Sequence, residues 1–122
     1  MNREILFRGK PMFREGNEFV YGYYKQGDIA GVKTDFIIPL PEYKNEINEV
    51  AVCPQTVGQF TGLIDKNGVK IFEGDILKFK SGNYVVKWCN EHSKFLQADK
   101  QFTRELHCCI DDSEVIGNIH GS

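Results

Sequence analysis

The 122-residue sequence predicts a mainly β protein, an N-terminal β lobe followed by a C-terminal SH3-like small barrel, with a β-rich α+β arrangement as the alternative. Three observations lead there. Short runs such as Tyr84 to Cys89 alternate residue types at period two, as strands do. Twelve glycines and fourteen Phe and Tyr residues give a chain that turns often and fills its core with rings. Between the runs stand turn signals, the clearest being Asp65-Lys66-Asn67-Gly68, where Asn and Gly tolerate the positive φ that tight hairpins demand.

In order along the chain, Ile5 and Phe7 share one face of a first strand and Glu4, Leu6 and Arg8 the other, until Gly9-Lys10-Pro11 stops it. Phe19 to Tyr24 is a second strand with rings on both faces, which calls for cover on both, from within or from a second subunit. Gln26-Gly27-Asp28 reads as a turn and Val32 to Ile38 as a third strand, broken by Pro39-Leu40-Pro41. Glu42 to Asn48 is polar, a loop or single helical turn, and the expected boundary between lobes 1–49 and 50–122 of one domain spanning 1–122. After the 65–68 turn come Ile71-Phe72, a turn at Glu73-Gly74-Asp75, a strand Ile76 to Phe79, and a turn at Ser81-Gly82-Asn83. In the next strand Tyr84, Val86 and Trp88 form a large aromatic core face. His92 to Leu106 fits a helical stripe through Phe95, Phe102 and Leu106, but a strand near Phe95 followed by a loop is preferred. Leu106 to Ile110 and Glu114 to Ile119 complete the set of strands.

Composition narrows the function classes. Hydrophobic residues at 41% and charged residues at 26% describe a chain that folds in water. The net charge is −2 and evenly spread, with 7 basic and 8 acidic residues in 1–60 and 8 and 9 in 61–122. Phosphate-backbone binders cluster their cations, so nucleic-acid binding is open but not favoured. With no apolar run of signal or spanning length, the expected location is the cytoplasm, with no membrane partner and with Cys53, Cys89, Cys108 and Cys109 as thiols.

Three segments become specific in combination: Val57 to Gly68, Ile71 to Ile76, and Glu114 to Ile119. Together with the opening Arg3-Glu4-Ile5-Leu6-Phe7-Arg8, the chain resembles the YopX-like family of phage and prophage proteins from end to end, most densely over residues 57–79. The resemblance implies a phage-encoded accessory protein acting in a bacterial host. It carries over no activity, cofactor or catalytic residue.

The candidate sites are weighed against plainer roles. Cys89 and His92, with His107, Cys108 and Cys109, have zinc-compatible donors, but neighbours on a strand point to opposite faces, so no metal or other cofactor is expected. Cys89 beside His92 lacks a third orienting group for nucleophilic catalysis, and no catalytic residue is assigned. The 65–68 turn lacks the remaining ligands of a calcium loop. Arg3, Arg8, Lys10 and Arg14 beside Phe7 and Phe13, and Lys78, Lys80 and Lys87 on the barrel, are candidate contacts for nucleic acid or a protein partner. The competing role for such residues is a solvated edge. Phe19, Tyr21, Tyr23 and Tyr24 are the candidate self-association surface. The functional expectation is a non-enzymatic homo-oligomeric module that contacts a host or phage protein, with nucleic-acid binding by the small barrel as the alternative.

Overall fold

The computed structural model describes residues 5–13, 18–40, 49–80, 82–107 and 110–120. It is mainly β, built from antiparallel strands, with short 3-10 turns at Pro54–Thr56 and Ile110–Asp112 among the described residues. The chain divides into two compact units, 1–59 and 60–122. The expected boundary region, 42–48, lies outside the described residues. Residues 50–59 fall in the first unit because Val50–Val52 pairs with the preceding strand.

The first unit contains β1 (Phe7–Gly9), β2 (Val20–Ile29), β3 (Val32–Pro39), β4 (Val50–Val52) and the opening residues of β5 (Gly58–Ile64). β2 and β3 form a long hairpin in register from Gly22 opposite Pro39 to Ile29 opposite Val32. Its two-residue connection, Ala30-Gly31, has φ of 53 and 83°, the left-handed conformation that matches strand twist. The turn expected at Gln26-Gly27-Asp28 is therefore corrected: these residues continue β2. A Cβ on Gly27 would lie 3.1 Å from the Phe36 ring, so this glycine admits a neighbouring side chain instead of turning the chain. β1 pairs with both β2 and the start of β5, and just beyond it Met12 N–H donates to Ala51 O and Cys53 N–H to Lys10 O. Ile37, Val50 and Val52 form the core of one sheet face, with Phe7, Val20 and Val57 packed on them. Both faces of β1 are covered, Arg8 and the preceding Leu6 being buried on one side and Phe7 packing on this core from the other, while Ile5 is exposed.

The second unit continues β5 into a hairpin with β6 (Lys70–Phe72) and adds a sheet of β7 (Asp75–Phe79), β8 (Gly82–Cys89), β9 (Lys94–Ala98), β10 (Thr103–Glu105) and β11 (Glu114–Asn118). Its order is β10-β9-β8-β7-β11. The pairings establish sheets, and none of them closes a barrel among the described residues. Ile71, Leu77, Val86, Phe95 and Leu106 form the core, covered by Leu63, Ile110 and Val115.

Several expectations are corrected here. Phe79 pairs with Gly82, so Gly82 and Asn83 already belong to β8. Within the expected aromatic core face only Val86 is fully buried. Trp88 is 40% exposed and meets Phe95 edge-on at 4.9 Å between centroids. A strand at 103–105 replaces the expected loop because the Asp99 carboxylate accepts the N–H groups of Gln101 and Phe102, which turns the chain back onto β9. The strand expected over Leu106 to Ile110 does not form: Leu106 and His107 lie in a turn and Ile110 opens a 3-10 turn, while Cys108 and Cys109 lie outside the described residues.

Polar residues of the 57–79 stretch knit this unit. Asp65, 4% exposed, accepts Asn67 and Val69 N–H at Oδ1 and Val115 N–H at Oδ2, all at 2.8–2.9 Å. Lys66 N–H reaches Ser113 O. Gly74, with φ of 94°, donates to Val86 O and accepts from Ile119 N–H, while the adjacent Asp75 carboxylate accepts Phe72 N–H. Thr61 Oγ1 donates to Ile71 O across the β5–β6 hairpin.

Burial pushes the Asp65 carboxyl upward, but the Val115, Val69 and Asn67 N–H donors, aided by Lys66, outweigh it and hold the group below its ordinary value. A lowered folded-state value means stability that is complete above the unfolded value and lost as pH falls through the folded one. Asp65→Ala should cost about 2–4 kcal/mol at pH 7, since it strands three N–H donors. Chemical denaturation should show that difference shrinking below about pH 4; a difference that stays constant down to acid would contradict the role assigned to the charge.

Candidate functional site

The basic-aromatic cluster expected at the N-terminus folds inward. Arg8 pairs with Tyr21, on the same face of the sheet, and is 5% exposed, with its guanidinium carbon 4.1 Å from the Phe19 ring centroid. Lys10 is 8% exposed, its Nζ lies 5.4 Å from the same ring, and its backbone N–H donates to Thr56 Oγ1. One ring thus serves both cations, and the pair belongs to the packing of the first unit. Phe7 packs against Tyr24 with centroids 5.5 Å apart, while Phe13 is exposed. Arg3 and Arg14 lie outside the described residues.

The aromatic residues of β2, with Phe19 just before it, divide. Phe19, Tyr21 and Tyr24 are half-buried, and Phe19 and Tyr21 stand 6.3 Å apart. Burial raises the Tyr24 phenol above its ordinary value, a hydrogen bond from Gln26 opposes this, and the Asp35 charge adds to it. Tyr23 is exposed. The pairing register puts it on the same hairpin face as Ile29 and Val32, and these three are 53, 41 and 66% exposed. The ladders from β1 and β4 reach only Val20–Gly22 and Asp35–Ile37, so the remainder of the hairpin is two-stranded among the described residues. Between the apolar positions Lys25 crosses the Phe36 ring and forms an ion pair with Glu49 at 2.7 Å.

On the second unit, Lys78, Lys80 and Lys87 are exposed. Lys78 and Lys87 share the face opposite Leu77 and Val86, interspersed with Lys94, Glu105 and Glu114. Lys94 and Glu105 are paired at 2.5 Å, and that hydrogen bond with the Lys94 charge lowers the Glu105 carboxyl. This face therefore carries mixed charge. Lys80 sits at the β7–β8 turn with Nζ 5.3 Å from the Phe79 ring. Cys89 is a half-buried thiol opposite Lys94, His92 is exposed in the following turn, and His107 Nδ1 lies 3.4 Å from Glu105. No group of three or more His, Cys, Asp or Glu side chains assembles a metal site among the described residues. No helix among them is long and apolar enough to cross a membrane.

Sequence reasoning missed Arg104. β10 sets it opposite Gln97, on the inner face of the sheet, where its guanidinium carbon lies 4.4 Å from the Tyr84 ring centroid and 5.0 Å from that of Phe79. The available signal was a charged residue at an inward position of a hairpin, and it is visible only once the Asp99 turn is recognised.

Arg8→Ala should lower stability by about 1–3 kcal/mol, because it empties packed space and strips a cation from Phe19. Lys78→Ala and Lys87→Ala should stay within about 0.5 kcal/mol, as for ordinary surface sites. Urea titrations of the three variants separate buried from displayed cations; equal effects would contradict the assignment.

Comparison with known proteins yields a family and a solved structure. The family model described as YopX protein matches residues 12–122. The crystal structure of protein EF1440 from Enterococcus faecalis aligns over 98% of this chain and 95% of its own, at 25% identity and a TM-score of 0.44. No curated protein matches the chain.

Proposed function

Because the chain belongs to the YopX protein family, we propose that it is a non-enzymatic, self-associating interaction module, an accessory protein of phage or prophage acting in the cytoplasm of the bacterial host. The observation that carries this reading is the exposure of Tyr23, Ile29 and Val32 on one hairpin face, on which Phe36 and Thr34 between them are buried. Exposed large apolar residues that share one face of a two-stranded projection offer a docking surface. A second copy fits it. The intervening Lys25 is already neutralised by Glu49, and a net charge of −2 opposes association only weakly.

Fully burying such a side chain stabilises by about 1.5–3 kcal/mol, and these residues begin roughly half-exposed, so each copy recovers a few kcal/mol. Set against the cost of association, that predicts a weak, concentration-dependent oligomer. The absence of catalysis is supported by the employment of the polar residues in the 57–79 stretch: Thr61, Asp65 and Asp75 are bonded to backbone. Nucleic-acid binding is the weaker reading, since Arg8 and Lys10 are buried and Lys78 and Lys87 share their face with acidic residues.

Light scattering over a concentration series should show mass rising from one chain towards a multiple. The double variant Tyr23→Lys with Val32→Lys should remain a single chain, with an unchanged circular dichroism spectrum. A wild type that stays monomeric at the highest concentration removes the self-association reading.

A further inference from the structure

Arg104 is a half-buried cation with unused chemistry. Its Nε and Nη2 are buried and have no hydrogen-bond partner. These two nitrogens form the side-on fork of a guanidinium, the pair whose parallel N–H groups match two oxygens of a carboxylate or phosphate. Tyr84 and Phe79 occupy positions over the guanidinium, at 4.4 and 5.0 Å from its carbon. A ring over the face of the ion offsets part of the charge but accepts none of the in-plane N–H groups. Buried donors in folded proteins nearly always have an acceptor, and a charged donor without one is costly. The Asp99 carboxylate, which senses the Arg104 charge, spends Oδ1 on the Gln101 and Phe102 N–H groups.

A second cation lies by the Phe79 ring. Lys80 Nζ lies 5.3 Å from the centroid of Phe79, the ring that also carries Arg104. Lys80 is exposed, and its backbone holds a left-handed φ of 57°, unusual for a residue with a side chain. A guanidinium fork plus a point charge suits a dianion better than a monoanion.

We propose that Arg104 and Lys80, set on Phe79 and Tyr84, form a binding site for the phosphate group of a small anionic ligand. Arg104 holds two phosphate oxygens through Nε and Nη2. Lys80 supplies the second charge from the exposed turn. The fork is covered, so the anion enters by side-chain movement. This site lies within the second unit and is independent of the hairpin face of the first.

The test is thermal unfolding of the full chain in sodium phosphate, in adenosine monophosphate, and in sodium chloride of matched ionic strength. A ligand that binds only the folded state raises the melting temperature with its concentration. Phosphate should raise it by several degrees beyond chloride, and Lys80→Gln should reduce the increment. Arg104→Met should abolish it while melting at or above the wild-type temperature without ligand, because it keeps the stacking and removes a buried unpaired charge. Arg104→Lys, which keeps a charge but loses the fork, should lose most of the increment and is the second variant should the first not fold. A larger effect of the nucleotide than of inorganic phosphate identifies a ligand with a ring beside its phosphate, and equal effects identify the phosphate alone. No increment over chloride, or an increment unchanged in the Arg104 variants, overturns the proposal.

Discussion

The carboxylate of Asp65 joins two stretches of chain fifty residues apart. Oδ1 closes the turn from β5 to β6 through Asn67 and Val69, and Oδ2 takes the N–H of Val115 at the start of β11. The last strand is thereby registered against a turn formed early in the unit. Gly74 does the same at the other end of β11, between Val86 and Ile119. β11 is a marginal strand with a bulge between Val115 and Gly117, and an edge of that kind needs fixed points beyond its ladder. A buried carboxylate bonded to several backbone donors is a strong fixed point, because each bond is charge-assisted and each donor would otherwise be stranded.

The two units use cations in different ways. Arg8 and Lys10 lie on Phe19 in the interior of the first unit, where long aliphatic stems contribute apolar area while the charged ends meet a ring. On the outer face of the second unit Lys78, Lys87 and Lys94 alternate with Glu105 and Glu114, an arrangement that keeps a sheet soluble. A count of basic residues cannot separate these uses, since each half of the chain contains nearly equal numbers of basic and acidic groups. Strand parity separates them.

Local turn chemistry was legible in the sequence, and non-local packing was not. Asp65-Lys66-Asn67-Gly68 and Glu73-Gly74 turn where their residues say they should, with Asp75 of the second turn already opening β7, because the forces involved act within five residues. Gln26-Gly27-Asp28 has the same composition but stays in a strand, because its glycine answers to Phe36 on the neighbouring strand. The first strand offered two faces, Ile5 with Phe7 or Leu6 with Arg8, and a buried arginine defeats the habit of assigning charge to solvent. Arg104 escaped notice because its strand was read as loop, and a loop arginine carries no expectation of burial. Family kinship, in contrast, was legible from three short motifs, since those motifs are scaffold and scaffold is written in turn residues.

The contrast between Asp65 and Arg104 says where function is to be sought in such a chain. Both are charged side chains of the same unit, Asp65 buried and Arg104 half-buried with its fork atoms covered. Both acceptor atoms of Asp65 are occupied by backbone, so its conformation is determined by the fold and its removal is a stability event. Arg104 has its stem and its ring contacts determined, yet its side-on fork is unspent. A group whose position is fixed by packing while its hydrogen-bonding capacity remains unused is preorganised: the cost of placing the charge is borne by the fold, and the return comes only when an acceptor arrives. The residues that identify the family and the residues able to recognise a ligand are thus different sets, distinguished by whether their polar atoms are already satisfied.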